Sequence, residues 1–247
     1  MSDSTKLPDT KAASDYTYAV AKATLGSTPL VGHALSVALE TAFAPPLERR
    51  KERWLNALAE VVASLQTRMD GMTPEQLLKD ERFISAALQA GQISLRTHQQ
   101  EKIDMLKAAV ASSVTGDGGN DDQHAMFLRF VDELTPSHIR VLNFMRDPAR
   151  FAIEIQRNTR STMEAVRIVF PEFLGNRAFV EQIFRDLEIR GLTTELDPLK
   201  EQMGSHPPEP KTTKFGVAFL EFVGIRWDAA KYGTAPKAPD PAPSRCY

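Results

Sequence analysis

Apolar residues recur along most of this chain at spacings of three and four, the signature of helices that each bury one face. The clearest case is LERRKERWLNALAEVVASLQTRM, where Trp54, Leu58, Val61, Val62, Leu65 and Met69 form one stripe. Ahead of it, Tyr16 to Leu25 predicts a short helix stopped by Gly26, and Pro29 is placed to start the next helix, since its missing N–H costs nothing in a first turn. Gly32, Ala34, Ser36 and Ala38 would let that helix approach a neighbour closely, and Pro45 and Pro46 are expected to break it. Thr73-Pro74-Glu75-Gln76 is a capping box with proline at the first helical position. A single helix over about 81–114 follows, its buried stripe read as Ile84, Leu88, Gly91, Leu95, Ile103, Leu106, Val110 and Val114. At 1.5 Å per residue it would reach roughly 50 Å and form the spine of a bundle. Its middle, RTHQQEK, is polar on several sides.

After the loop Thr115 to Asn120, Asp121 or Asp122 is expected to cap a helix carrying Phe127, Phe130, Val131 and Leu134. Thr135-Pro136 opens another with Ile139, Leu142 and Met145, and Asp147-Pro148 a short one with Phe151 and Ile155. Ser161-Thr162-Met163-Glu164 is a second capping box. Phe179, Val180, Ile183, Phe184 and Leu187 form the apolar face of a helix that Gly191 ends in a left-handed residue. Leu192–Leu196 is the best strand candidate, the proline-containing segment Asp197–Pro210 a wing tip, and Thr213–Val223 a closing helix with Phe215, Phe219, Phe222 and Val223 on one side. Helix, short strand, loop and apolar helix make the sequence shape of a winged helix.

The expected class is therefore mainly α: an N-terminal helical bundle with one long helix over 15–118, and a winged-helix-like domain with a small β-wing over 119–232. Residues 1–14 are polar, the tail 233–247 is rich in proline, and both are expected to be disordered. The ordinary composition, 42% hydrophobic and 25% charged, supplies a sizeable core. A net charge of -2 argues against a generic polyanion binder. The N-terminus lacks the pattern of a signal peptide. One cysteine, Cys246, allows no disulfide framework within the chain, which fits a cytoplasmic location. The uncharged run Ala23–Leu39 holds Pro29 and His33 and is about 17 residues long, short of the roughly 20 that span a bilayer.

The chain carries no HExxH, no GxSxG and no glycine-rich phosphate loop after a strand. The five histidines, His33, His98, His124, His138 and His206, read as surface or half-buried side chains rather than ligands, and His98 shares a face with Glu101 on the expected long helix. The loop at 115–120 lacks the spaced ligands of a calcium site. No catalytic residue, metal or cofactor is assigned. Two groups are candidates for contacts. On the helix 177–190, Asn176, Arg177, Gln182, Arg185 and Arg190 have the chemistry to read base edges or meet a partner, opposed by Glu181, Asp186 and Glu188. Arg49, Arg50, Lys51 and Arg53 are candidates for an anion or lipid headgroup, against a solvated face paired with Glu48 and Glu52.

The phrases DELTPSHIRVLNFM, FRDLEIRGLTT and TTKFGVAFLEF resemble the C-terminal half of the bacterial abortive-infection alpha (Abi-alpha) proteins. There, L-S-P-x-x-A-x-I-L precedes N-L-x-R-L-G-L-I and L-T-x-F-G-x-x-F. The likeness runs in outline from about residue 120 onwards and more loosely over the N-terminal part; Asp186-Leu187-Glu188-Ile189-Arg190 stands where the family has an asparagine and a second leucine. The resemblance implies a role in phage defence and brings no catalytic residues. The leading expectation is a non-enzymatic interaction module with a protein partner or self-association. A winged-helix regulator of duplex DNA is the alternative, and a membrane-active effector working through residues 18–46 the next.

Overall fold

The computed structural model describes residues 30–69, 72–117, 119–151, 161–195 and 208–226; over 30–43 and at Pro45 it describes backbone only. The expected disordered ends, the helix 16–25, Ile155, the loop from 196 to 207 with His206, and Cys246 lie outside the described residues, as does the side chain of His33. The described residues are mainly helical: α1 Leu30–Arg68, α2 Pro74–Leu77, α3 Glu81–Arg96, α4 Gln100–Thr115, α5 Asp121–Glu133, α6 Pro136–Arg146, α7 Thr162–Val169, α8 Arg177–Ile189 and α9 Lys214–Phe222, with 3-10 turns at Pro148–Phe151 and Pro171–Phe173. The chain divides into two compact units, residues 1–53 and 54–247.

In the first unit the described residues are the leading part of α1. This helix continues through Pro45 and Pro46, where the sequence predicts a break. Proline's fixed φ is itself helical, so what these two residues remove is a pair of N–H donors from the ladder. The long helix is thus α1, at 39 residues, and not the segment 81–114. That segment splits at Thr97-His98-Gln99. Thr97 and Gln99 are extended, and the Thr97 hydroxyl accepts from the Gln99 N–H at 3.2 Å. The polar RTHQQEK stretch is where the chain folds back so that α3 packs along α4. Two shorter helices bury their stripes on each other, which one straight rod could not do. Asp132 fixes both sides of the fold-back: its carboxylate accepts from Arg96 at 2.8 Å and its carbonyl from Lys102 Nζ at 2.7 Å.

The buried face of α3 is Phe83, Ala86, Ala90 and Ile93, while Leu88 is 66% exposed. The expected stripe through Ile84, Leu88 and Leu95 is therefore turned away from the core by one position. The small residues Ala86 and Ala90 are what permit the close approach of α4. Gly91 serves the same end: a Cβ there would sit 2.9 Å from the Trp54 indole nitrogen. Asn120, rather than Asp121 or Asp122, caps α5, in a reciprocal box with Gln123; the two acids lie in the first turn, where the helix dipole favours them.

The helix α9 closes the second unit against α4, α5 and α6. Phe215, Phe219 and Phe222 meet Phe127 and Phe130 at ring separations of 5.0 to 6.3 Å. The Ser112 hydroxyl, buried, donates to the Phe222 carbonyl at 3.0 Å. The entry to α9 is tied down by threonines. Thr212 donates to the Leu142 carbonyl at 2.8 Å, and Thr213 donates to the Gly191 carbonyl at 2.7 Å while capping Gly216 N–H. Gly216 lies so close to Leu192 that an added Cβ would stand 2.1 Å from its carbonyl oxygen. Among the described residues no strand forms. In place of the strand expected at Leu192–Leu196, Thr193 and Thr212 make an isolated antiparallel bridge.

Candidate interaction surface

The helix α8 is set by local rules at both ends. The Asn176 side chain accepts from the Phe179 N–H at 3.2 Å, and Gly191 takes φ +68° just past the last turn. Val180, Ile183, Phe184 and Leu187 are buried, which fixes the rotation of the helix and decides what its other side presents. Arg177, Ala178, Gln182, Arg185 and Ile189 are exposed, with Glu181 and Glu188 at the margins. Ile189 is 74% exposed and Leu174, just before the helix, 60%. Leu174 precedes the helix across Gly175, and Ile189 is its last residue.

The candidate contact residues on this helix are largely engaged with one another and with acids. Arg177 Nε donates to Glu181 Oε1 at 2.7 Å. Gln182 Nε2 donates to Asp186 Oδ1 at 2.9 Å, and Arg185 reaches the Gln182 amide oxygen at 3.3 Å. Arg190 turns back to the Asp186 carbonyl and to Glu133 on α5, each at 3.0 Å. Arg185 is the cation of this set that meets no carboxylate among the described residues. Asn176 is used up as a cap. The structure thus brings four of the five together on one helix and sends Arg190 sideways into the junction with α5.

The inner edge of α8 holds a pair that sequence reasoning missed. His138 is 94% buried, with a residual exposure of 6%. Its Nδ1 accepts from the Thr135 N–H at 3.2 Å and lies 2.8 Å from the Thr135 hydroxyl, while Nε2 lies 3.2 Å from Asp186 Oδ2. An Nδ1 that accepts a backbone N–H has no proton, so Nε2 carries it and donates to the carboxylate. Burial, the largest influence, pushes the imidazole pKa down; Asp186 opposes this, and Arg190 and Lys102 add to it. His138 and Asp186 are consequently a hydrogen-bonded pair rather than an ionic one. The signal was present in Thr-Pro-Ser-His, since a residue three after the cap can reach back to the cap N–H.

The other expected residues lie elsewhere. In the first unit Arg49, Lys51 and Arg53 are exposed and Arg50 is half-buried; Lys51 lies 4.0 Å from Glu48. His98 is exposed in the break between α3 and α4, so it does not share a helix face with Glu101. His124 is buried, stacked on Phe222 at 5.1 Å and bonded through Nε2 to the Asp117 carbonyl at 3.1 Å. A cleft of about 220 Å³ beside it, lined by Arg82, Ser113, Asp121 and Leu128 among others, is below the usual size of a small-molecule site. Asp117 itself gathers Arg68, Arg226 and the Thr115 hydroxyl. Burial pushes its carboxyl up, but those three donors together hold it below the usual range. Among the described residues no three His, Cys, Asp or Glu side chains group as metal ligands, and no helix is long and apolar enough to cross a membrane.

Searches against family models, curated proteins and solved structures find no match for this chain.

Proposed function

We propose that the chain is a non-enzymatic interaction module whose winged-helix-like C-terminal part presents α8 to a protein partner. The abortive-infection resemblance supplies the biological setting, a role in bacterial phage defence. The wing would be the segment between Thr193 and Thr212, pinned at its base by their bridge and by Lys211 N–H to the Met145 carbonyl at 2.8 Å.

One observation carries the choice of protein over DNA. The exposed face of α8 alternates in sign, with Arg177 on Glu181 and the amide of Gln182 between Arg185 and Asp186. Binding to duplex DNA draws much of its strength from cations that neutralise phosphates and release counterions. A helix that ties Arg177 to Glu181 and carries Asp186 and Glu188 beside its remaining arginines contributes little of that. The exposed Leu174 and Ile189 suit a protein surface, where apolar anchors sit among polar rim residues.

A titration of labelled duplex DNA at low salt, followed by fluorescence anisotropy, tests this. No saturable binding is expected. Salt-dependent binding that weakens in Arg177→Ala and Arg185→Ala would replace the module with a DNA regulator.

A further inference from the structure

Resting on the reading of α8 as a protein-facing surface, we infer that its partner is a second copy of the same chain, docked antiparallel across a two-fold axis near Gln182. Two-fold interfaces are self-complementary: if residue i meets residue j, then j meets i. The exposed face of α8 has that symmetry. Set against its own copy in the opposite direction, Glu181 meets Arg185 and Arg177 meets Glu188, with the axis level with the step from Gln182 to Ile183. Each of these four charges then opposes its opposite. A parallel arrangement would place arginine on arginine and leave no such match.

The geometry of the single chain supports this arrangement. Ala178, Glu181, Arg185 and Ile189 follow one another at helical spacings of three and four, so they share a face. Among the described residues Arg185 meets the amide oxygen of Gln182, at 3.3 Å, and no carboxylate, which leaves its guanidinium with donors to offer to a carboxylate on a partner. Glu181 accepts from Arg177 through Oε1 at 2.7 Å, and a carboxylate has acceptor sites on both oxygens. Leu174 and Ile189, 60% and 74% exposed, are large apolar side chains that a monomer leaves in water. A 13-residue helix is about 20 Å long, so its face falls short of the roughly 800 Å² per partner of a standard interface. The dimer is accordingly weak and concentration-dependent.

Sedimentation velocity on the full chain tests the proposal, with circular dichroism melts to establish that each variant is folded. The wild-type weight-average sedimentation coefficient is expected to rise up to about 200 µM, the range of a micromolar dissociation constant. Arg185→Glu and Glu181→Arg each set like charges across the axis and are expected to weaken self-association at least about tenfold. In a one-to-one mixture of the two variants, one copy carries acids at both positions and the other carries bases at both. The opposing charges are restored across the axis, and the mixture is expected to associate again. A wild type that stays monomeric throughout overturns the second copy as partner, and a dimer indifferent to both substitutions overturns α8 as its interface. Duplex DNA, titrated in parallel, separates this from the reading beneath it: DNA binding by the wild type that Arg185→Glu abolishes would overturn the protein-facing surface itself. Should Glu181→Arg fail to fold, Arg185→Glu with Ile189→Ser carries the same test.

Discussion

The two sides of α8 use the same residue types to opposite ends. On the inner side Asp186 and Arg190 are tied to His138, Glu133 and main-chain oxygen, next to the buried Ile183, Phe184 and Leu187. On the outer side Arg177, Glu181 and Arg185, among the described residues, pair within the helix, in water. Exposed pairs of that kind are worth between nothing and about 1 kcal/mol. A buried histidine bonded on both nitrogens is worth more, because removing it strands its partners. Charged residues on one helix can thus be structural or available for recognition, and burial decides which. The basic turn at 49–53 of α1 is of the water-facing kind as well: Arg49 and Arg53 are exposed, with the Lys51–Glu48 pair at a loose 4.0 Å.

Substitutions can break this contrast or sharpen it. The largest loss of stability is expected at Leu187→Ala, fully buried on the inner side: about 2–5 kcal/mol by urea unfolding. Gly216→Ala follows, at about 1–3 kcal/mol, because its Cβ would meet the Leu192 carbonyl and the α9 entry would have to move. A cost no greater than that of an exposed glycine would show that the threonine-tied junction is loose.

The next effect is on pH dependence. The folded chain holds His138 neutral, with its pKa pushed down, while the unfolded chain titrates near the ordinary value of about 6.5. Above that value neither state binds the proton and the full stability is present. As pH falls below it, the unfolded state gains protons first, so stability declines until the folded histidine also titrates. Urea midpoints measured across this window should fall with acid in the wild type and show less of that slope in His138→Gln. The carboxyl of Asp117, also depressed, adds a decline of the same sign at lower pH, which Asp117→Asn should reduce. The smallest effect on stability is expected at Arg177→Ala, within about 0.5 kcal/mol, since it is a surface change away from any buried network.

Much of the local structure is legible in the sequence, and for stated reasons. The Thr73 and Ser161 caps, the Thr135-Pro136 start and the left-handed Gly191 follow from rules that act within a few residues. The closing helix is legible too, because Phe215, Phe219 and Phe222 repeat at a helical period. What the sequence hides depends on tertiary contact. The polar RTHQQEK stretch marks a weak point but does not by itself decide between one rod over 81–114 and two helices folded back; the decision belongs to the stripe formed by Ala86, Ala90 and the small residues of α4. The same packing rotates α3 so that Leu88 faces water. The two prolines at 45 and 46 predict a stop, yet α1 continues through them. For the candidate surface, the charge alternation on α8 is visible in the sequence, but which acids serve the core and which face outward is not. That requires the position of His138, 48 residues earlier in the chain.

The two-sidedness of α8 is tested most directly by measuring melting and sedimentation together on Arg185→Glu. The expected result is a melting curve that overlays the wild type while self-association is lost. A variant that melts earlier but associates as before would contradict it, by placing Arg185 with the structural residues.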